Sequence, residues 1–352
     1  MTARYRALVA GASGVVGRNL AGHLARSGDW EVIGLARRPP AGACPFESIA
    51  VDLTDDGDCR RKLSGLTATT HILYAARYDH QATAPEPIDI NTGMLRNLVE
   101  AVEPVAANLQ HIHMVQGSKY YGSTLGPYKT PSKESDPRRP VNNFYYEQED
   151  YVLARQKGKR WTWSATRPHA VCEAAPGIAR SIGMVIAVYA AVRKELGEPL
   201  TFPGTAGNYR ALYQCTEATH LSRAIAWMAT EPRCANQAFN ITNGDLFRWS
   251  SLWPRIAQFF GMEAGPQRHI NLEQFMADKA PVWERIVKKH GLKPYRFEEI
   301  AAWKFGDFVF SAQWDVVSDM VKARSAGWCE ALDSEEMFLR LFGEFRQNRI
   351  IP

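Results

Sequence analysis

The chain has 352 residues, 45% of them hydrophobic and 22% charged, and a net charge of +5 from 42 basic and 37 acidic residues. Such a composition makes a globular protein with a large core, as one extended domain or two closely packed ones, and excludes a disordered chain. The basic residues are scattered, which speaks against a nucleic-acid partner.

"RALVAGASGVVGRNLAGHLARSG" (6–28) reads as strand, glycine turn and helix. The apolar run Ala7–Ala10 is the strand, Val16, Leu20 and Leu24 fall at helical spacing, and Gly28 ends the helix. "WEVIGLARR" (30–38), "ESIAVDLTD" (47–55) and "THILYAA" (70–76) are predicted as further strands. "GMLRNLVEAVEPV" (93–105) is predicted as a helix and "LQHIHMVQGS" (109–118) as a fifth strand. "NFYYEQEDYVLARQKG" begins another helix, and "WTWSATRPH" (161–169) and "QAFNITNG" (237–244) supply a sixth and a seventh strand. Strands alternating with helices of this length predict an α/β fold of Rossmann type, a doubly wound parallel sheet of about seven strands. After about residue 170 the pattern changes to long helices (181–197, 217–230, 249–261, 271–291, 333–347). These predict a smaller, mainly helical lobe over 176–352, leaning on the carboxyl edge of a dinucleotide-binding domain over 1–175 that also takes the strand near 237–242. "CRRKL" (59–63) and "IVKKHG" (286–291) are the densest basic stretches and read as solvated helix faces.

The six cysteines are far apart and form no C-x-x-C, so neither a zinc site nor a disulfide framework is expected. Scattered thiols favour a reducing compartment. The first strand starts almost at once, leaving no room for a signal peptide, and the longest apolar stretch (182–192) is too short to span a bilayer. A cytoplasmic protein without a membrane partner is expected.

Gly11-Ala12-Ser13-Gly14-Val15-Val16-Gly17 lies between strand and helix. Glycines there let the backbone approach a pyrophosphate, which the helix N-terminus receives with unpaired N–H groups. A dinucleotide is expected on Gly11, Ser13, Gly14, Val15, Val16 and Gly17. An NAD site would place a carboxylate at the end of the second strand. This chain has Ala36-Arg37-Arg38 there, and guanidinium forks suit a 2′-phosphate, so NADPH (NADP+) is the expected cofactor. Asp52 and Leu53 are placed to touch the adenine, and Ala75 and Ala76 to pass the ribose and pyrophosphate.

Many enzymes on this scaffold pair a tyrosine with a lysine four residues on. Tyr145 is followed at that spacing by Glu149, and Tyr146 by Asp150. The end of the fifth strand offers a substitute in Lys119. A lysine at a strand end and a tyrosine on the next helix can meet beside the nicotinamide, which would make Tyr145 a cofactor contact as well. The ammonium would favour the phenolate-like charge distribution, and the hydroxyl would donate to a substrate oxygen that becomes negative. The alternative is an exposed loop lysine and a packed tyrosine. His111 and His113 alternate on one strand face and read as strand packing, without a third metal ligand. Pro168 and His169, after the sixth strand, are placed to line the nicotinamide amide. Tyr120, Tyr121, Met184 and Phe305 are candidates for an apolar substrate wall.

"GASGVVG", "GLARRP", "QGSKYYG", "NFYYEQED", "TRPH", "FNITNGDLFRW" and the tail "NRIIP" occur in this order over essentially the whole chain. In them the sequence resembles the progesterone 5β-reductase/iridoid synthase-like enone reductases, atypical extended short-chain dehydrogenases. The resemblance implies NADPH-dependent 1,4-reduction of activated carbon–carbon double bonds in a small apolar carbonyl substrate. It places the catalytic tyrosine on Tyr145, the catalytic lysine on Lys119 and an aromatic pocket residue on Phe305. Ser118-Lys119-Tyr120-Tyr121 stands where the family usually has Arg-Lys-His-Tyr. Two rival readings use the same scaffold: a nucleotide-sugar epimerase or dehydratase, and a non-catalytic NADP(H)-sensing protein. The oligomeric state stays open, a homodimer included.

Overall fold

The computed structural model describes residues 4–38, 44–78, 86–173 and 181–352. Its first half alternates strand and helix: β1 (Tyr5–Ala10), α1 (Val15–Ser27), β2 (Trp30–Ala36), β3 (Glu47–Ala50), α2 (Asp56–Leu63), β4 (His71–Tyr74), α3 (Ile88–Val102), β5 (His111–Val115), α4 (Phe144–Gln156) and β6 (Thr162–Arg167). A later strand, β7 (Gln237–Asn240), completes a seven-stranded sheet in the order β7-β6-β5-β4-β1-β2-β3. Every pairing in it is parallel. Strand order reverses beside β1, so the loops leaving β1 and β4 part and open a crevice at the carboxyl edge.

The sheet is covered on both faces, which is why its strands read as near-continuous apolar runs. Leu8, Ala10, Ile72, Ile112 and Met114 pack with Leu95, Leu98 and Val99 of α3. Ala7, Val9 and Leu73 pack on the other face with Leu20 and Leu24 of α1. The helix Ala218–Thr230 joins that second layer through Leu221, Ala224, Ile225 and Met228, although its place in the chain puts it among the predicted lobe helices. The predicted boundary near residue 175 lies outside the described residues.

His111 and His113 are buried polar residues in this apolar setting, and strand packing accounts for them. His111 bonds the hydroxyls of Thr162 and Ser164 at 2.8 and 2.7 Å, and His113 those of Ser164 and Thr166 at 2.8 and 3.2 Å. Burial brings the His113 imidazole down to about 3, so it stays neutral at pH 7.

The lobe is built around α5 (Ile182–Glu195), whose N-terminus is capped by Ser181, its hydroxyl accepting from Met184 N at 3.2 Å. Trp249, Trp253, Phe338 and Phe342 surround it. Three predicted elements differ in extent. The helix expected over 271–291 is two, Leu272–Met276 and Ala280–His290, because Pro281 in the first turn of the second has no N–H to continue a helix. The helix expected from Gly93 begins at Ile88, just after Pro87. The strand expected over 109–118 pairs only from His111 to Val115; Ser118–Tyr121 is a tight helical turn, closed by Gly122 at φ +80°.

Candidate active site

The crevice begins at the glycine turn. Gly11 leaves β1 at φ +81°, and the N–H groups of Gly11 and Ala12 both donate to Leu35 O of β2, at 2.9 and 3.1 Å. Gly14 N donates back to Gly11 O at 2.8 Å and closes the turn. Gly14 is also the N-cap of α1, which has no side-chain cap and no acidic residue in its first turn. The N–H groups of Val15, Val16 and Gly17 therefore keep their anion-binding character, beside the exposed Ser13. A Cβ on Gly17 would lie 2.2 Å from Gly11 O, and one on Gly11 would lie 2.8 Å from Ala75 O. Only hydrogen fits at these contacts, and the cradle fits a pyrophosphate. Gly17→Ala is expected to cost about 1–3 kcal/mol of stability through overpacking. It should also abolish the rise in melting temperature expected of the parent protein with NADPH. Thermal melts with and without NADPH check both.

Ala36 ends β2, and Arg37 and Arg38 follow it, both exposed. The Arg37 guanidinium lies 5.9 Å from the Tyr78 ring centroid. Among the described residues beyond β2 the nearby carboxylate is Asp52, whose Oδ1 accepts from Thr54 N and Oγ1 at 2.9 and 2.8 Å. Those bonds, and to a smaller extent the Arg37 charge, hold its carboxyl below the ordinary value. Leu53 beside it is 4% exposed, and its side chain packs in the sheet core. Ala75 N is held by Ala10 O at 3.0 Å, which keeps Ala75 and Ala76 against Gly11.

Lys119 and Tyr145 come together. The Lys119 Nζ lies 4.7 Å from the Tyr145 ring centroid and 4.0 Å from that of Phe144. The Tyr145 hydroxyl lies 3.4 Å from where a Cβ on Gly117 would stand, and so does Pro168 O. The phenol thus reaches the carboxyl ends of β5 and β6. The two tyrosines of "FYY" are not equivalent. The Tyr146 hydroxyl donates to Tyr120 O at 2.5 Å and accepts from Arg139 N at 3.1 Å, both backbone groups. Asn143, which is not among the residues expected at the site, joins the two elements. Its side chain caps α4, accepting from Tyr145 N at 3.1 Å, and donates to Lys119 O at 3.2 Å. Asn directly before an aromatic-rich helix is an N-cap signature that could have revealed it.

Beneath this pair lies a buried charged network. Arg167, at the end of β6, donates to Gln116 Oε1 at 2.9 Å, Tyr121 Oη at 3.1 Å and Glu149 Oε2 at 3.1 Å. Glu149 also accepts from Gln116 Nε2 (3.0 Å), Tyr120 Oη (2.9 Å) and Arg138 Nη2 (2.9 Å). Burial works against the Glu149 carboxylate, but Arg167 and these donors outweigh it and hold its carboxyl below the ordinary value. Glu149, four residues after Tyr145, therefore faces away from the phenol and into the molecule.

That network also holds two residues of the expected substrate wall. Tyr120 stacks under the Arg167 guanidinium at 3.3 Å, and Tyr121 donates to Asn240 Oδ1 at 2.6 Å. Both hydroxyls are committed to polar partners inside the molecule. Met184 is 1% exposed, within the lobe core. Phe305 remains half-buried, on the helix Trp303–Val309, which Gly306 lets approach α5 at Val185. His169 is also more enclosed than expected. Its Nε2 bonds Ser318 Oγ at 2.8 Å, its Nδ1 is buried without a hydrogen-bond partner, and burial brings the ring down to about 3. Pro168 O accepts from Ser118 N at 3.0 Å, tying the loop after β6 to the Lys119 turn. No helix among the described residues is long and apolar enough to cross a membrane.

Comparison with known proteins places this arrangement. Residues 51–352 match the family described as PRISE-like Rossmann-fold domain. The chain is 34% identical over 363 residues to an (S)-8-oxocitronellyl enol synthase of Nepeta racemosa, covering 98% of this chain and 93% of that one. It is 33% identical over 365 residues to a 3-oxo-Delta(4,5)-steroid 5-beta-reductase of Arabidopsis thaliana, with 98% and 93% covered. Among solved structures, the Thermus thermophilus UDP-glucose 4-epimerase complex with NAD superposes with a TM-score of 0.66 at 17% identity, over 97% of this chain and 99% of that one. Pseudomonas aeruginosa RMD complexed with NADPH gives a TM-score of 0.66 at 13% identity, over 99% of each chain. The two structures share the fold; the two plant enzymes share the sequence along its length. The chain belongs to the PRISE-like Rossmann-fold family.

Proposed function

We propose that this protein is an NADPH-dependent reductase of the activated C=C bond of small, apolar enones or enals. The observation that carries the reading is the Lys119 ammonium 4.7 Å from the Tyr145 ring, with the phenol hydroxyl at the carboxyl ends of β5 and β6. Both plant relatives carry names that point to this chemistry, a steroid 5-beta-reductase and an enol synthase.

The turn Gly11, Ser13, Gly14, Val15, Val16 and Gly17 would hold the pyrophosphate, Arg37 and Arg38 the 2′-phosphate, and Ala75, Ala76, Pro168 and His169 the ribose and nicotinamide side. Bound NADPH supplies hydride to the β-carbon. The Tyr145 hydroxyl donates a hydrogen bond to the carbonyl oxygen as it gathers enolate charge, and Lys119 stabilises the negative charge shared between them. The α-carbon takes its proton from water. Phe305 supplies an apolar face from the lobe.

An epimerase on this fold needs a lysine four residues after its tyrosine. Here Glu149 occupies that place and is bonded to Arg167. The deciding experiment is cofactor oxidation with a panel of cyclic and acyclic enones, using NADPH and then NADH. Stoichiometric NADPH consumption is expected with at least one enone. NADH should serve on the order of tenfold less well, for want of the phosphate that Arg37 and Arg38 would grip. No turnover across the panel, or epimerisation of a nucleotide sugar without net oxidation, would refute the assignment.

A further inference from the structure

We propose that Glu86 is a positioning residue for the reduction, fixing the Lys119 ammonium beside the Tyr145 phenol and offsetting part of its charge. The inference rests on the Lys119–Tyr145 reading above and adds a third group to it.

Glu86 precedes Pro87, the N-cap position of α3, and its side chain is 21% exposed. Its Oε2 accepts from Lys119 Nζ at 2.5 Å, and its Oε1 lies 3.4 Å from Arg77 Nη2. On its other side the ammonium meets the rings of Phe144 at 4.0 Å and Tyr145 at 4.7 Å. The cation is thus held between a carboxylate and two aromatic faces. A lysine reaching past a strand end on four rotatable bonds has no fixed position of its own. A carboxylate on its far side supplies one.

The same carboxylate sets the electrostatics. Among the described residues, the charged groups around the phenol include Lys119 on the turn after β5, Arg77 after β4 and Glu86 before α3. Asp89 and Glu147 line the same surface groove as Glu86, with Asn142. Glu149 and Asp150 on α4 are held by Arg167 and Arg138. A negative charge in contact with both cations reduces the positive potential at the phenol. Its removal takes negative charge away from beside both cations, whose positive charge favours the phenolate. The phenol must carry its proton to donate to the substrate oxygen. A lower phenol pKa therefore means that activity is lost at a lower pH.

Glu86→Gln keeps the shape and removes the charge, at a partly exposed position where folding is not at stake. Two quantities are measured: kcat against pH for a good enone, and tyrosinate absorbance against pH in the cofactor-free protein, with Tyr145→Phe as the blank. In Glu86→Gln, the alkaline limb and the phenol titration should both move down by about one pH unit. Glu86→Asp should restore most of the shift. A fall in kcat with both titrations in place, or no change at all, overturns the role given to Glu86. If Tyr145→Phe itself turns over the enone at the parent rate, the reading of the site falls and this inference with it. If Tyr145→Phe is inactive and Glu86→Gln titrates like the parent, only the inference about Glu86 falls.

Discussion

Replacing Tyr145 by phenylalanine is expected to lower kcat for a good enone on the order of a hundredfold or more, with NADPH affinity nearly unchanged. The ring stays, with its packing against Phe144 at 4.4 Å between centroids, so the fold keeps its aromatic cluster. What is lost is one donor aimed at an oxygen that becomes negative only as hydride arrives, an interaction typically contributing about 3 kcal/mol to the barrier. Because that bond strengthens in the transition state, the loss falls on kcat rather than on KM. Tyr146→Phe is the matched control. Its hydroxyl bonds two backbone groups, Tyr120 O and Arg139 N, so its removal should cost stability on the order of 1 kcal/mol or somewhat more and leave the rate within a few-fold. Steady-state kinetics of the two variants on one enone decide the matter. A Tyr145→Phe enzyme within a few-fold of the parent, or a Tyr146→Phe enzyme that loses the rate instead, would remove the phenol from the mechanism.

Much of this could be read from the residues because the relevant signals are local. The glycine turn, the strand before it and the helix after it are contiguous, and the alternation of apolar runs specified the parallel sheet. The absence of a carboxylate after β2 and the two arginines there are also local. Lys119 and Tyr145 were harder. Their proximity depends on the fold bringing two strand ends together; the convergence of sheet ends allows the pairing, and the family resemblance is what favours it. What was not legible lies in the direction side chains take. Tyr120 and Tyr121 are aromatic residues beside the lysine and read as a wall. The turn Ser118–Tyr121 instead points their hydroxyls at Glu149 and Asn240. Leu53 and His169 follow strands at the correct edge, yet their side chains pack inward. Nothing in the sequence around Glu86 announces a partner on the turn after β5. Arg167 does carry a signal in the sequence: a guanidinium at the end of an otherwise buried strand requires a buried anion.

That anion is the source of the second large effect expected. Arg167→Met should destabilise the protein by about 3 kcal/mol, read as a lower denaturation midpoint at pH 7. The Arg167 and Glu149 side chains are 3% and 9% exposed, so the substitution leaves a carboxylate in a dry setting with one of its two cations removed. Arg138, a third exposed, still reaches it, which keeps the loss at the lower end of the range for a broken buried pair. Glu149→Gln combined with Arg167→Met removes the orphaned charge as well, and the double variant should be more stable than the sum of the single losses predicts. The pH dependence follows from the direction of the Glu149 shift. Its carboxyl is held below its ordinary value in the fold, so the pair's contribution is complete above the usual carboxylate range and fades as pH falls through and below it. The parent should therefore lose stability over that acid window more steeply than Glu149→Gln does. Additive losses in the double variant, or parallel acid profiles, would mean that the pair does not act as a unit. In that case the place of the missing lysine would hold only a packed glutamate, and the turn carrying Lys119 would owe its position to Asn143 and the tyrosine cluster instead.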